Sequence, residues 1–373
     1  MNPDDAIPQP RPDRSVLMLI ADDWSPIAGC YGDTLARTPN IDKFAESATV
    51  FDHAYCTSPS CAASRANLLT GLYSHTHGQY GHSHFPFGFT THPHVQTLPA
   101  VLKAAGGFSG LGGKNHTAPR DLYPYDLFVG NGWLTDRIAQ TTAESLRRGA
   151  GKPTFVMGAS LFPHRAKIRD LDNDFYLPDD AWRPDLADVA VPDWLPDAPA
   201  VRDDLAAYYG AIERFDHFVG ANLAALEASG RAEQTLVILL SDHGLPFPFA
   251  KASSFEAGLH CPLLIRRPGG QGQHTDALAN WCDVTRTVYD WLGLTVPEGV
   301  WFEDRPKPEQ PALPGRSLHP LLEPDADAAD WHTTHFSHTC HETNNHYPFR
   351  GCINRHGNRR LKYVEHVVDP GTT

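Results

Sequence analysis

Ser15-Val-Leu-Met-Leu-Ile-Ala21, running into Asp22-Asp23, is the stretch whose reading decides the fold. Val16–Ile20 is uninterrupted apolar sequence without the alternation of a half-exposed strand, so it reads as a strand buried on both faces. A second such run, Thr235–Leu240, ends in Ser241-Asp242-His243-Gly244. Pro153–Ser160 is a third strand, closing at Leu161-Phe-Pro-His164, and Val50–Tyr55, Gly106–Gly113 and Cys261–Ile265 add shorter ones. Between them lie helical patterns. Thr38-Pro39 opens a helix over Asn40–Ala48, Ala62–Leu69 and Leu98–Ala105 are helical, and Asp283–Leu292 is another. Arg202–Ser229 carries an apolar stripe through Leu205, Tyr208, Ile212, Phe215, Val219, Leu223 and Leu226. Strands alternating with helices predict an α/β fold, a mostly parallel central sheet covered by helices on both faces.

Elsewhere the pattern is looser. Asp170–Pro199 is rich in Pro and Asp and reads as a long surface excursion. From Trp331 on, Thr333–Ser337, Phe349–Ile353 and Arg360–Val364 suggest an antiparallel addition. The expected organisation is a leader over 1–14, a catalytic domain over 15–330 and a partial or minimal C-terminal antiparallel subdomain over 331–373.

The 373 residues carry 31 Lys plus Arg against 44 Asp plus Glu, a net charge of −13, and 21 His. That balance argues against nucleic acid as a partner, and the longest aliphatic runs are too short to span a membrane. The N-terminus lacks a basic segment followed by an apolar one, and the seven cysteines (30, 56, 61, 261, 282, 340, 352) include no Cys-x-x-Cys pair. The expected compartment is the cytoplasm. Cysteines other than Cys61 read as packing residues.

Ligands of parallel sheets collect beyond the carboxyl ends of the strands. Three strands here end in polar clusters: Asp22-Asp23, His164 and Asp242-His243. Carboxylates with one imidazole make an oxygen-rich set for a hard divalent cation, Ca²⁺ or Mg²⁺, with the His drawing toward Mn²⁺ or Zn²⁺. Cys61 opens a helix, where amides and macrodipole favour an anion, and Arg65 falls on the same helix face. Lys114, His116 and Lys251 would add cations around a bound oxyanion.

These residues resemble the sulfatase family, within the alkaline-phosphatase superfamily. Ser60-Cys61-Ala-Ala-Ser-Arg65-Ala-Asn-Leu-Leu-Thr-Gly71 is similar to the family signature. Asp22-Asp23 and Thr38-Pro-Asn-Ile-Asp42 precede it in the family's order, and Gly113-Lys114-x-His116, Pro163-His164, Ser241-Asp-His-Gly244 and Lys251 follow. Within the family, Ser241–Lys251, His77–Gly81, Val191–Pro196 and His341-Glu342…Arg350 resemble the branch that acts on N-sulfoglucosamine.

The resemblance implies an alkaline-phosphatase-like sheet and a sulfuric ester or sulfamate hydrolase acting on a sulfated or N-sulfated sugar. It implies that Cys61 becomes formylglycine, whose hydrate is the nucleophile. Asp22, Asp23, Asp242, His243 and the nucleophile at position 61 would hold one divalent cation, Ca²⁺ first, then Mg²⁺ or Mn²⁺. Arg65 and Lys114 would steady the hydrate, His116 would act on its second hydroxyl, and His164 and Lys251 would serve the sulfuryl and leaving groups. His84, Glu342 and Arg350 are the expected sugar contacts. Expected partners are the substrate, a formylglycine-generating maturation enzyme and a second copy in a homodimer.

Four departures stand out. Ala63 replaces a common Pro, His243 a common Asn, and Phe162 the Asp of the N-sulfatases, and the chain ends at Thr373 where the family continues. Two other readings remain open: a phosphodiester or phosphonate monoester hydrolase on the same scaffold, and a non-catalytic sulfatase-like binding protein.

Overall fold

The computed structural model describes residues 9–84, 88–166, 175–297, 313–324, 326, 331, 334–339, 349–356 and 359–366. Eight strands form the main sheet. They are β1 (Ser15–Ala21), β2 (Thr49–Tyr55), β3 (Phe108–Gly113), β4 (Leu127–Val129), β5 (Thr154–Ala159), β6 (Thr235–Ser241), β7 (Leu263–Arg266) and β8 (Gln273–Asn280). Their order is β4-β3-β5-β1-β6-β7-β2-β8. Only β7 runs against its neighbours, so seven strands share one direction. A second sheet, β9 (Thr334–Thr339), β10 (Phe349–His356) and β11 (Arg359–His366), is antiparallel in the order β11-β10-β9.

The period of two along β1 divides the core. Val16, Met18 and Ile20 face one hydrophobic cluster, with Leu68 and Leu69 of helix α2 (Cys61–Thr70) and Val284, Val288 and Leu292 of α8 (Trp281–Leu292). Leu98 and Leu102 of α4 (Leu98–Ala104) join that cluster; α3 is the single turn Ser74–His77. Leu17, Leu19 and Ala21 face the other cluster, with Ile41 and Phe44 of α1 (Pro39–Ala45) and Ile138 and Leu146 of α5 (Thr135–Arg148). The long helix α6 (Pro199–Ala228) lies on this second face, burying Leu205, Ile212, Phe215 and Val219. Helices therefore cover both faces, as the sequence predicts. Strand β1 is buried at every position because β5 and β6 flank it and helices lie above and below.

The expected helices and strands lie within a few residues of their predicted places, but α5, β4 and β8 were not read from the sequence. Between Phe175 and Ala198 the excursion contains neither helix nor strand. The shared direction of β1, β2, β3, β5 and β6 brings Asp22, the approach to Cys61, Lys114, His164 and Asp242 to one edge of the sheet.

Candidate active site

Cys61 is the first residue of α2 and is buried, and every residue of that helix is buried with it. Its Sγ lies 3.4 Å from Asp22 Oδ1, 3.0 Å from His243 Nε2 and 3.2 Å from Lys251 Nζ. Asp22, Asp23, Asp242 and His243 have essentially no exposure. Asp23 adopts a left-handed backbone (φ 69°), and its amide donates to Asp242 Oδ1, which locks the two strand ends together. The Asp242 carbonyl accepts from Ser64 Oγ and from Trp281 Nε1, fixing the turn that presents Asp242 and His243.

The cations interleave with these acids. Arg65 is fully buried and bonds Asp242 Oδ2 through Nε at 2.9 Å, with Nη2 3.7 Å from Asp22. Lys114 pairs with Asp22, and Lys251 reaches Asp23 Oδ1 at 2.9 Å. His164 Nε2 stands 3.9 Å from Asp23 Oδ2. The Ala252 amide donates to the Pro59 carbonyl, which ties the Lys251 loop to the approach of Cys61.

Proton positions follow from these contacts. Burial pushes the Cys61 thiol up, but Lys114, Lys251 and His243 outweigh it and hold it well below its ordinary value. Burial pulls His116 down, leaving it neutral near pH 7. Burial also opposes protonation of His164, yet Asp23 and Asp22 raise its pKa. For the carboxylates, burial and the Cys61 sulfur push Asp22 up, while Lys114, His164 and Arg65 hold it below the usual range. Burial and the charge of Asp22 push Asp242 the other way. Two neighbouring carboxylates split in this manner when no further cation lies between them.

The donor set fits a divalent cation. Ligand atoms of Asp22, Cys61, Asp242 and His243 all lie within 4.8 Å of one another, as do those of Asp22, Asp23, Cys61 and His164. His243 Nδ1 lies 3.0 Å from the Gly244 carbonyl and donates to it, which aims Nε2 at Cys61 and Asp23. Burial opposes protonation, but Asp242 and Cys61 raise the His243 pKa, and a bound cation would take the place of the Nε2 proton. Asp23 Oδ2 is buried with no hydrogen-bond partner. That one orphaned oxygen, among acids otherwise paired with Lys114, Arg65 and Lys251, is a place a positive ion would satisfy.

The sequence-derived residues thus divide into two groups. Cys61, Arg65, Lys114, His164, Lys251, Asp22, Asp23, Asp242 and His243 meet in one cluster, and the side chain of His116 hydrogen-bonds Cys61. His84 is exposed and stacks 4.8 Å from His82, which stacks 4.6 Å from His116, so imidazoles lead outward from the centre. Arg350, on β10, is exposed and its charge acts on His75 rather than joining the cluster. Glu342 and Cys340 lie outside the described residues. Cys56, Cys261 and Cys282 are buried as expected, whereas Cys30 and Cys352 are half-buried.

Sequence reading missed the supports. Gln79 Nε2 donates to the His116 carbonyl, and its Oε1 accepts from the Ala118 amide. Its place inside His77–Gly81, one of the family-like blocks, was the available signal. Ser64 stood inside the quoted Cys61 signature, whereas Trp281 had no signal.

A doubly covered parallel sheet with a buried carboxylate–imidazole–thiol cluster at its carboxyl edge defines a hydrolase of the alkaline-phosphatase-like class. The sulfatase family model matches residues 14–294, and the chain belongs to that family. It is 33% identical over 370 residues to human N-sulphoglucosamine sulphohydrolase, covering 92% of this chain and 72% of that protein. It is 24% identical to an arylsulfatase of Clostridium perfringens, covering 89% and 82%. A structure solved with its substrate D-glucosamine-2-N,6-O-disulfate superposes with a TM-score of 0.66 at 20% identity, covering 95% of this chain and 91% of that one. Phosphonate monoester hydrolase from Silicibacter pomeroyi gives 0.69 at 18%, covering 95% and 89%, a likeness of fold. The protein is a sulfuric ester hydrolase.

Proposed function

We propose that this sulfatase removes the sulfuryl group of an N-sulfated, glucosamine-like sugar, with Cys61 matured to formylglycine and one divalent cation, Ca²⁺ first among candidates. The observation that carries this reading is the position of Cys61, at a helix N-terminus and in contact with Asp22, His243 and Lys251. The likeness to human N-sulphoglucosamine sulphohydrolase supports the sugar.

Asp22, Asp23, Asp242 and His243, with residue 61, would hold the cation, which when bound withdraws charge from a sulfuryl oxygen and lowers the pKa of the attacking hydroxyl. The formylglycine hydrate supplies one hydroxyl to attack and a second from which the aldehyde is restored. Around it, Arg65 and Lys114 bring fixed positive charge into a water-poor pocket, where such charge acts most strongly. Neutral His116, hydrogen-bonded to residue 61, accepts a proton there. His164, whose pKa burial lowers but Asp23 and Asp22 raise more, and Lys251 would be the proton donors for a leaving amine or alcohol. Balance requires one water per turnover, giving the free amine and sulfate.

Peptide mass spectrometry at residue 61 tests the maturation, since conversion of the thiol to the aldehyde removes about 18 Da. Kinetics of that protein should favour N-sulfoglucosamine over p-nitrophenyl sulfate and over a phosphonate ester. A higher kcat/KM for the phosphonate would overturn the reading. Unmodified thiol with no ester cleaved would favour a binding protein.

A further inference from the structure

Phe162 begins the turn that delivers His164, and its carbonyl accepts the amide of Asp22 at 3.2 Å. Its ring forms one wall of a separate cavity of about 870 Å³, within the usual range of ~300–1,000 Å³ for small-molecule sites. None of the catalytic cluster lines that space. Three aromatic rings do: Trp133 lies 5.0 Å from Phe162 and 4.8 Å from Tyr176, at interplanar angles of 76° and 45°. They form an angled wall. A flat aromatic base needs parallel plates, whereas a pyranose presents bent patches of C–H groups to rings at several tilts.

The remaining lining includes two arginines and a histidine. Arg137 comes from the first turn of α5, Arg214 and His217 from α6 one turn apart. Neither guanidinium has a salt bridge, a side-chain hydrogen bond or an aromatic face among the described residues, although the chain carries 44 acids. Among the described residues, Asp136 is the one acid that lines the cavity. The N-terminus of α5 has no side-chain cap, so its dipole adds positive potential at the same place. Two guanidiniums beside an apolar wall match a ring that carries sulfate or carboxylate, which arginine can bind through two parallel hydrogen bonds.

We propose that this cavity binds a sulfated or carboxylated sugar residue adjoining the one that is hydrolysed. The proposal deepens the reading above and rests on it for the identity of the hydrolysed sugar. Only Pro163 separates Phe162 from His164, two residue steps spanning at most about 7 Å, so one oligosaccharide can engage both places. At position 162 the sequence places a ring where N-sulfatases place an acid. That exchange removes a negative charge from the cavity wall and adds a stacking surface.

The test compares the wild-type chain with an Arg137→Gln/Arg214→Gln double variant; the guanidiniums it removes hold no salt bridge or side-chain hydrogen bond among the described residues. Substrates are N-sulfoglucosamine and a heparin-derived tetrasaccharide with that sugar at its end. Wild-type protein should show kcat/KM at least tenfold higher for the tetrasaccharide. The double variant should lose that advantage while its monosaccharide kcat/KM stays within twofold. Equal values for both substrates in the wild type, or an advantage that survives the double substitution, would overturn the proposal. A parallel loss on the monosaccharide would do so too, because the arginines would then serve the catalytic centre.

Calorimetry on the Cys61→Ala chain keeps the two readings apart. If no sugar sulfate is cleaved, tetrasaccharide binding that weakens tenfold in the double variant still supports the cavity. Unchanged binding, or preferential binding of adenosine monophosphate, overturns it. Matching thermal transitions of all variants exclude misfolding as the cause, and Trp133→Ala, which removes the wall and keeps the charge, should weaken tetrasaccharide binding independently.

Discussion

Arg65 joins the two halves of the buried acid cluster, since its guanidinium spans Asp242 and Asp22 with 1% exposure. Replacing it with Ala strands two buried carboxylates, a loss of about 3–5 kcal/mol for a broken buried pair. Urea unfolding of Arg65→Ala should show that loss, together with a fall in kcat of at least a hundredfold. Arg65→Lys should recover stability better than rate, because an ammonium cannot reproduce the planar two-sided contact. Near-native stability of the Ala variant would contradict this account of the site.

The ends of the strands set the aim of the catalytic groups. Gly113 closes β3 at φ 100°, and a Cβ there would stand 1.9 Å from the Ala159 carbonyl, which accepts the Lys114 amide. Gly113→Ala should cost about 2–4 kcal/mol of stability from strain and overpacking, and displace Lys114 from Asp22. Activity should fall further than the folded fraction, measured on the same preparation by turnover and circular dichroism.

A second element prediction concerns β11. Arg360 contacts His53 and Tyr55 on β2, and burial followed by Arg360 lowers the His53 pKa, while burial lowers that of the neighbouring His260. A depressed histidine pKa means that the unfolded state takes up protons first as pH falls through about 6.5. Stability from these residues is therefore complete above that pH and declines below it. Amide exchange over 359–366 should accelerate between pH 7.5 and 5.5 relative to β1, after correction for intrinsic rates. Equal protection would remove His53 and His260 from the junction.

Legibility followed the physics of each element. Val16–Ile20 and Leu236–Leu240 are apolar on both faces because they lie at the centre of the sheet, and such runs have few alternative readings. Helix α5 is amphipathic, but part of its buried face is polar: Ser145 and Thr141 pack against Gly110 and Gly112 of β3, and Thr142 donates a hydrogen bond to Asn222 of α6. A search for apolar residues alone therefore passes over it. The residues that cluster around Cys61 were legible through motif order. The anchors Gln79 and Trp281 act through backbone carbonyls, a role that any spacing permits.

At the scale of the molecule, a net charge of −13 opposes an anionic substrate, while Arg65, Lys114 and Lys251 attract it at short range. Salt screens the distant repulsion more than the buried attraction. Between 20 and 150 mM NaCl, kcat/KM for an anionic monosaccharide should rise about twofold to threefold. A steep fall would show that exposed cations guide the approach.

The burial of Cys61 also orders events in time. Its first-turn position and 1% exposure leave no room for a second protein to reach the sulfur once strands from residues 15 to 241 have closed around it. Any enzyme that oxidises this thiol must meet the chain while it is still extended. The folded protein would keep whichever form, thiol or aldehyde, was present at closure, and on the proposed mechanism a chain that folds too early would lack its nucleophile.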